Sequence, residues 1–338
     1  MLQLFQSIFG SGRGDSSAHP ADLIERAIER TVDGTDSRLR ALSGYKKRLR
    51  GAVSHALDHV VALVDELPPA LQLHSGAYGA EPEVTAYFAS VDHLREVLER
   101  DATLNEWRRT TDGALAERIV MLLLMTLHER KTLGVALEGD AVRHDVAQTT
   151  ISFTGHALID PSATEDETRR LLKRRAFDHL LGLALGRIST ARSERGELER
   201  ERDLLRRKRT ALASGRWGFD PDGAEKPVDP HTLQQQLQDI ESQLSVLGAG
   251  PSLLQAHLDI VVDVLSHAES NFWSVRRPLS IDRMGIKQAQ AGVQAPEISL
   301  SELHNAVGQG LVARIVSVER KALPAQRDLL RDAERALR

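Results

Sequence analysis

Residues 164–215 read TEDETRRLLKRRAFDHLLGLALGRISTARSERGELERERDLLRRKRTALASG, and the reading of this stretch decides the fold. It opens as a helix does. Thr164 stands where a side-chain oxygen caps free backbone N–H groups, and Glu167 follows at capping-box spacing. The acids at 165–167 suit the positive end of a helix dipole. From Phe177 the steps alternate four and three through Leu181, Ala184, Ile188, Ala191, Arg195, Leu198, Arg202, Leu205, Arg209 and Leu212. That spacing is the seam of a coiled coil.

Ser214-Gly215 ends the helix, and Gly218, Pro221, Gly223, Pro227 and Pro230 make a loop of turn formers. A second helix starts near Pro230, with Leu233, Leu237, Ile240, Leu244 and Leu247 at the same spacing, and Gly248-Ala249-Gly250-Pro251 stops it. The two seams match as an antiparallel hairpin. Leu212 faces Leu233, Leu205 faces Ile240 and Leu198 faces Leu247. Between these layers Arg209 meets Leu237 and Arg202 meets Leu244, each Arg stem covering a Leu while its guanidinium reaches water. Gly182 and Gly186, four apart, predict a close backbone approach that buries the base of the helix.

Charge is unevenly placed. Arg169 to Arg209 holds 14 Lys+Arg and 6 Asp+Glu, a net of +8, while the whole chain is −4 and its remainder therefore −12. The return helix carries Asp239, Glu241 and many Gln. A basic rod on an acidic body is the result.

Working outward, 338 residues at 41% hydrophobic and 27% charged fit a soluble chain of one large or two modest domains. Aromatics at 4% suit helix packing by Leu, Val and Ala. The absence of Cys excludes disulfides, thiolate metal sites and cysteine nucleophiles, and fits a reducing cytoplasm. No apolar run approaches the ~20 residues of a membrane span. Residues 1–10 lack a basic n-region. Met1, Leu2, Leu4, Phe5, Ile8 and Phe9 share a greasy helical face, for docking on the fold or touching a membrane surface.

A Gly/Ser-rich linker, Gly10 to Pro20, leads to a short helix at Ala21–Val32 and a long one at Asp36–Leu67 with seam Leu39, Leu42, Lys46, Leu49, Val53, Ala56, Val60, Leu63 and Leu67. Glu83–Arg100 reads as one further helix. Ile119–Leu127, Lys131–Glu138 and Ala141–Phe153 read as a three-stranded meander, with a parity shift that places a bulge near Gln148–Thr150. Ser252–Ser270 is helical again. Leu279–Ile286, Glu297–Leu303 and Leu311–Arg320 read as strands, with Pro278 and Pro296 at strand starts. Pro324 opens a C-terminal helix.

The fold class is therefore α+β, predominantly helical, with an antiparallel coiled-coil helical hairpin inserted between two small antiparallel β units. Those units form one sheet at the hairpin's root, or two separate sheets. The regions are 1–20 (N-terminal segment and linker), 21–118 (helical), 119–160 (β-meander), 161–250 (hairpin) and 251–338 (helix, second β unit and C-terminal helix).

Chemical motifs are few. His55 and His59, four apart on a helix, have a metal-binding spacing, with His74 or His93 as distant third ligands; an exposed pair is the plainer reading. His128-Glu129 begins like a zinc-protease motif but lacks the second His. Ser43-x-x-Lys46 stands without its companion motifs. Arg13-Gly14-Asp15 and Gly14-Asp15-Ser16 fall in the linker, which supplies no strand-to-helix elbow. His144-Asp145 and Asp178-His179 are only sequence neighbours. No phosphate-binding glycine loop occurs, and no cofactor is implied.

Two surfaces remain. Arg169, Arg170, Lys173, Arg174, Arg175, Arg206, Arg207, Lys208 and Arg209 can hold phosphates or an acidic partner. Trp217 and Phe219, between the two helices, have the character of interface anchors. The reading is a cytoplasmic, non-enzymatic interaction or scaffold protein whose basic hairpin and aromatic tip meet a protein partner or a second copy. Nucleic-acid association through 169–209 is the alternative, and an enzyme with a scattered site is the third.

Overall fold

The computed structural model describes residues 19–138, 141–213, 230–246, 251–288, 290–292 and 295–324. In chain order these form α1 (Ala21–Gly34), a 3-10 turn (Ser37–Ala41), α2 (Tyr45–Asp65), β1 (Leu71–Gln72), α3 (Pro82–Tyr87), α4 (Val91–Arg100), α5 (Ala102–Arg108) and α6 (Thr111–Leu115). Then come β2 (Arg118–Glu138), β3 (Ala141–Ser162), α7 (Glu165–Ala213), α8 (Pro230–Val246), α9 (Pro251–Ser266), α10 (Ala268–Asn271), β4 (Phe272–Ile281), β5 (Lys287–Gln288), β6 (Glu297–Asn305) and β7 (Gly310–Glu319). The class is α+β. Two compact units each draw on two stretches of chain: Met1–Asp58 with Phe177–Ala268, and His59–Ala176 with Glu269–Arg338.

The second unit holds the sheet. Its strand order is β3-β2-β7-β6-β4-β5, and β2 pairs antiparallel with β7 from Arg118↔Glu319 to Met125↔Val312. The strands before and after the helical insertion thus form one sheet. β1 adds to β7 in parallel at Leu71↔Val316, beyond Val312 where the β6 pairing ends. The two ends of the strand order also meet. Thr150 bridges Ile286, and the Ile151 N–H donates to the Gly285 carbonyl at 2.7 Å. The sheet curls back on itself.

Alternation gives the sheet two dry faces. Ile119, Met121, Leu123 and Met125 of β2 join Val312, Val316 and Val318 of β7 in a core with Val84, Tyr87, Phe88, Leu94 and Leu98 of the α3–α4 region. Val120, Leu122, Ala313 and Ile315 face the other way, against Leu63, Val64 and Leu67 at the end of α2 and Leu172 of α7. Each such aliphatic residue contributes about 1.5–3 kcal/mol on burial. Arg314, 8% exposed, is satisfied by Glu83 and the Pro69 carbonyl, both at 2.6 Å.

The predicted meander is a two-stranded ribbon. β2 runs unbroken for 21 residues, because His128, Glu129 and Arg130 still pair with Ser152, Ile151 and Thr150. In a ribbon open to solvent, polar side chains do not end a strand. The register shifts opposite Val120/Leu122, Leu124/Thr126 and Gly134/Ala136, each time with one extra residue in β3. Asp160 (φ 51°), Gly155 (φ 64°) and Asp145 (φ 61°) mark those three places. Gly and Asp are the residues that tolerate this left-handed backbone at a bulge. No bulge occurs at 148–150.

Other expectations shift as well. The helix expected over 36–67 is broken at Leu42-Ser43-Gly44, where Gly44 has φ 76°. Lys46 is not on a seam but pairs with Glu25 and Glu29 at 3.3 and 2.9 Å. The helix expected over 83–100 divides at Phe88–Ser90, because Ser90 caps α4 by accepting from the His93 N–H at 3.0 Å. β4 begins at Phe272, so Pro278 lies inside the strand. Its far side is paired by β5 only at Ser280 and Ile281, and an open side requires no N–H. Residues 1–18, the Gly248–Gly250 stop and the segment after Pro324 lie outside the described residues.

In the first unit, one stripe of α7 (Phe177, Leu181, Ala184, Ile188) is buried, as are Leu23, Ile28 and Val32 of α1 and Leu258, Val261 and Leu265 of α9. Gly34 lets Leu181 come close, since a Cβ there would lie 3.0 Å from Leu181 Cδ1. Gly182 and Gly186 do the opposite of what their spacing predicts. Both are exposed with open space beside them, being out of phase with the buried stripe.

Candidate interaction arm and a buried ionic knot

From Leu198 onward α7 shares a separate core with α8. Leu205, Leu233, Leu237, Ile240 and Leu244 are buried together, with Leu198 packed against them. Leu205 and Ile240, set opposite one another by their spacing, lie in that one cluster. Polar ties follow the same order: Arg206 reaches Glu241 at 2.7 Å and Arg209 reaches Gln234 at 3.0 Å. Arg202 is half-buried and pairs with its neighbour Asp203, while Arg195 pairs with Glu199 at 2.8 Å. The side chains of Leu212 and Leu247 lie outside the described residues, as do Trp217 and Phe219.

The basic residues at the start of α7 have local employment. Arg169 pairs with Glu165 and donates to the carbonyls of Val64, Leu67 and Pro68 at 2.8, 2.9 and 3.3 Å, so it caps the C-terminus of α2. Lys173 pairs with Asp65 at 2.8 Å, and Arg175 with Asp160 at 2.5 Å. Arg174 also has a partner, and Arg170 is half-buried. Toward the far end Arg206, Arg207 and Arg209 are exposed and Lys208 is half-buried. The nine cations flagged in the sequence therefore form two groups in different settings.

His59 Nε2 lies 2.7 Å from the Phe272 carbonyl, so that nitrogen carries the hydrogen and donates it. His55 is exposed and has a partner of its own. Among the described residues no group of three or more His, Cys, Asp or Glu is placed to hold a metal ion. His128 bonds Thr154 at 2.8 Å, and Glu129 pairs with Arg277. Asp178 pairs with Arg30. No helix among the described residues is long and apolar enough to cross a membrane.

A polar cluster that the sequence did not announce lies in the first unit. Asp36, with its side chain 4% exposed, caps the 3-10 turn and accepts from Arg38 at 2.9 Å, Arg192 of α7 at 2.5 Å and His257 Nδ1 of α9 at 2.8 Å. Burial alone would raise its pKa, but the hydrogen bonds from Arg38 and His257 hold the carboxyl well below the usual carboxylate range. Burial pushes the His257 imidazole down, against the pull of Asp36. His257 therefore stays neutral and donates its Nδ1–H to Asp36, leaving Nε2 buried without a partner among the described residues. A cavity of about 450 Å³ lies beside the knot, lined by Asp36, Arg38, Arg192 and Leu253 among others. The sequence shows Asp36 only as a helix start and His257 only within an apolar run. Their 221-residue separation hides the pair.

Compared with protein-family models, curated proteins and solved structures, the chain finds no match in any of the three.

Proposed function

We propose that this chain is a non-enzymatic interaction protein in which the distal part of α7 and α8 form an antiparallel coiled-coil hairpin that binds a protein partner or a second copy of the chain. The observation that carries the reading is the arm's own core. Leu198, Leu205, Leu233, Leu237, Ile240 and Leu244 pack with one another as a cluster of their own among the described residues. A helix pair with a private core is a structural element that needs nothing else to stay dry, and it leaves its outer faces available. Exposed Leu204, at 52%, adds an apolar group to such a face. Trp217 and Phe219, which fall between the two helices in sequence, are the proposed anchors of that contact.

Nucleic-acid binding draws less support, because Arg169, Lys173 and Arg175 serve carbonyls and carboxylates of the chain itself. The test replaces residues 196–249 by a short Gly-Ser connection. The shortened chain is expected to keep the thermal unfolding of the sheet and to lose both self-association in light scattering and a specific cross-linked partner. Unchanged association would sink the proposal. Salt-sensitive nucleic-acid binding lost with the arm would replace it by the phosphate reading.

A further inference from the structure

A second, independent site lies in the unit that holds the sheet. Its parts come from α4 and from the middle bulge of β3. Ser90 starts α4 and thereby places His93, Glu96 and Arg100 along one helical face at spacings of three and four. Gly155, in the left-handed region at φ 64°, kinks β3 and delivers His156 to the same place. Between them is a cleft of about 510 Å³, within the range of small-molecule sites.

The two imidazoles are held firmly. His156 stacks on Phe88 with ring centroids 5.1 Å apart and 27° between planes, and meets the His93 ring edge-on at 4.8 Å. Their hydrogen-bond partners decide their tautomers. The Ala89 N–H donates to His93 Nδ1 at 3.2 Å, so that nitrogen carries the lone pair and Nε2 carries the hydrogen. His156 Nε2 lies 2.7 Å from the Tyr87 carbonyl, an acceptor only, so Nε2 carries the hydrogen and Nδ1 the lone pair. Burial holds the His156 pKa below its ordinary value, which favours the neutral ring with its lone pair on Nδ1. One ring thus offers a donor and the other an acceptor, side by side.

The rest of the lining narrows the ligand. Asp101 gives one oxygen to the Leu104 N–H at 2.8 Å and the other to the Leu158 N–H at 3.0 Å, so it builds the wall. Glu96 and Arg100 pair at 2.6 Å. Two carboxylates face one guanidinium, which disfavours an anion. A transition metal needs a lone pair on the open nitrogen of His93, and that nitrogen bears a hydrogen. A hydroxyl both donates and accepts, and a vicinal pair spans a donor and an acceptor set side by side.

We infer that this cleft binds a small neutral polyhydroxyl molecule of the saccharide class, with His93 Nε2–H donating to one hydroxyl and His156 Nδ1 accepting from its neighbour. The test uses the full chain with ¹⁵N-labelled histidine. Before any addition, both rings are expected to show the Nε2–H tautomer in imidazole ¹⁵N spectra. Glucose, fructose, ribose and sucrose are then titrated, with phosphate and zinc chloride in parallel. A saturable shift of both rings with at least one sugar is expected. The shift of the remaining ring should disappear in His156→Phe, which retains a flat ring beside Phe88, and the affinity read from the remaining ring should weaken at least tenfold in the milder His93→Gln, while His55→Gln leaves both shifts unchanged. The inference fails if no sugar gives a saturable shift, if only phosphate or zinc does, or if His93→Gln binds as the natural chain does.

Discussion

At the scale of single residues, Asp36 carries the largest burden. It ties the 3-10 turn to α7 through Arg192 and to α9 through His257. Removing one member of a buried ionic cluster leaves the others uncompensated, so Asp36→Ala is expected to cost about 3 kcal/mol in urea unfolding. The knot also has a pH signature. The depressed Asp36 carboxyl stabilises the fold above its unfolded value of about 3.9, and that stabilisation is lost as pH falls through the lower folded value. The depressed His257 imidazole stays neutral in the fold while the unfolded chain binds a proton near pH ~6.5. Stability therefore declines from pH 7 to 5 through His257, well before Asp36 titrates. His257→Asn, which keeps a donor at the position of Nδ1, is expected to flatten that interval, and thermal melts across it read the difference. None of this was legible in the sequence, where Asp36 and His257 are far apart. Arg169 was legible as a cation but not as the cap of α2, since a charge pattern does not say which carbonyls lie within reach.

At the scale of elements, periodicity carried α1, the second half of α2, α7, α8 and α9, because one buried stripe per helix writes itself into the sequence. It failed where a local hydrogen bond outweighs the pattern. Ser90 splits the apolar run of 83–100 by capping α4, and Gly44 interrupts the run of 36–67. Gly182 and Gly186 are a cost to α7 with no contact in return. Replacing each by Ala is expected to raise stability by about 1 kcal/mol, measured as a higher melting temperature. The β2–β3 ribbon gives a second prediction. Asp145 holds φ 61° at a bulge, so Asp145→Gly is expected to be neutral or to stabilise by about 1 kcal/mol, whereas Asp145→Val should lose at least as much. Within the arm, Leu237→Ala removes a side chain that is 2% exposed. A local loss of about 2 kcal/mol or more is expected, seen as faster amide exchange in α7 and α8 while the sheet amides keep their protection.

At the scale of the whole molecule, residues 165–271 form an insertion in sequence between two strand sets that pair as one sheet through β2 and β7. The possibility of a single sheet was visible from the order of β-like segments before and after the long helical stretch. Its curl was not, because the closing contacts depend on Gly285, with φ 76°, meeting Ile151. Gly285→Val should strain this meeting, since a Cβ would lie 3.0 Å from the Ile151 carbonyl oxygen. Lower protection of the Ile151 amide in hydrogen exchange is the expected result, with the α7–α8 arm unchanged.

The sequence by itself determined the α+β class, the long helix at 165–213, the helix that starts at Pro230, and the leucine spacing from which their shared core is built. Those features are local or periodic, and a periodic burial pattern survives in one dimension. Tertiary structure alone decided which cations serve the chain's own carbonyls, that the strands join and curl as one sheet, and that Asp36 meets His257 and His93 meets His156. Such encounters are set by where distant segments come together, and no spacing along the chain records them.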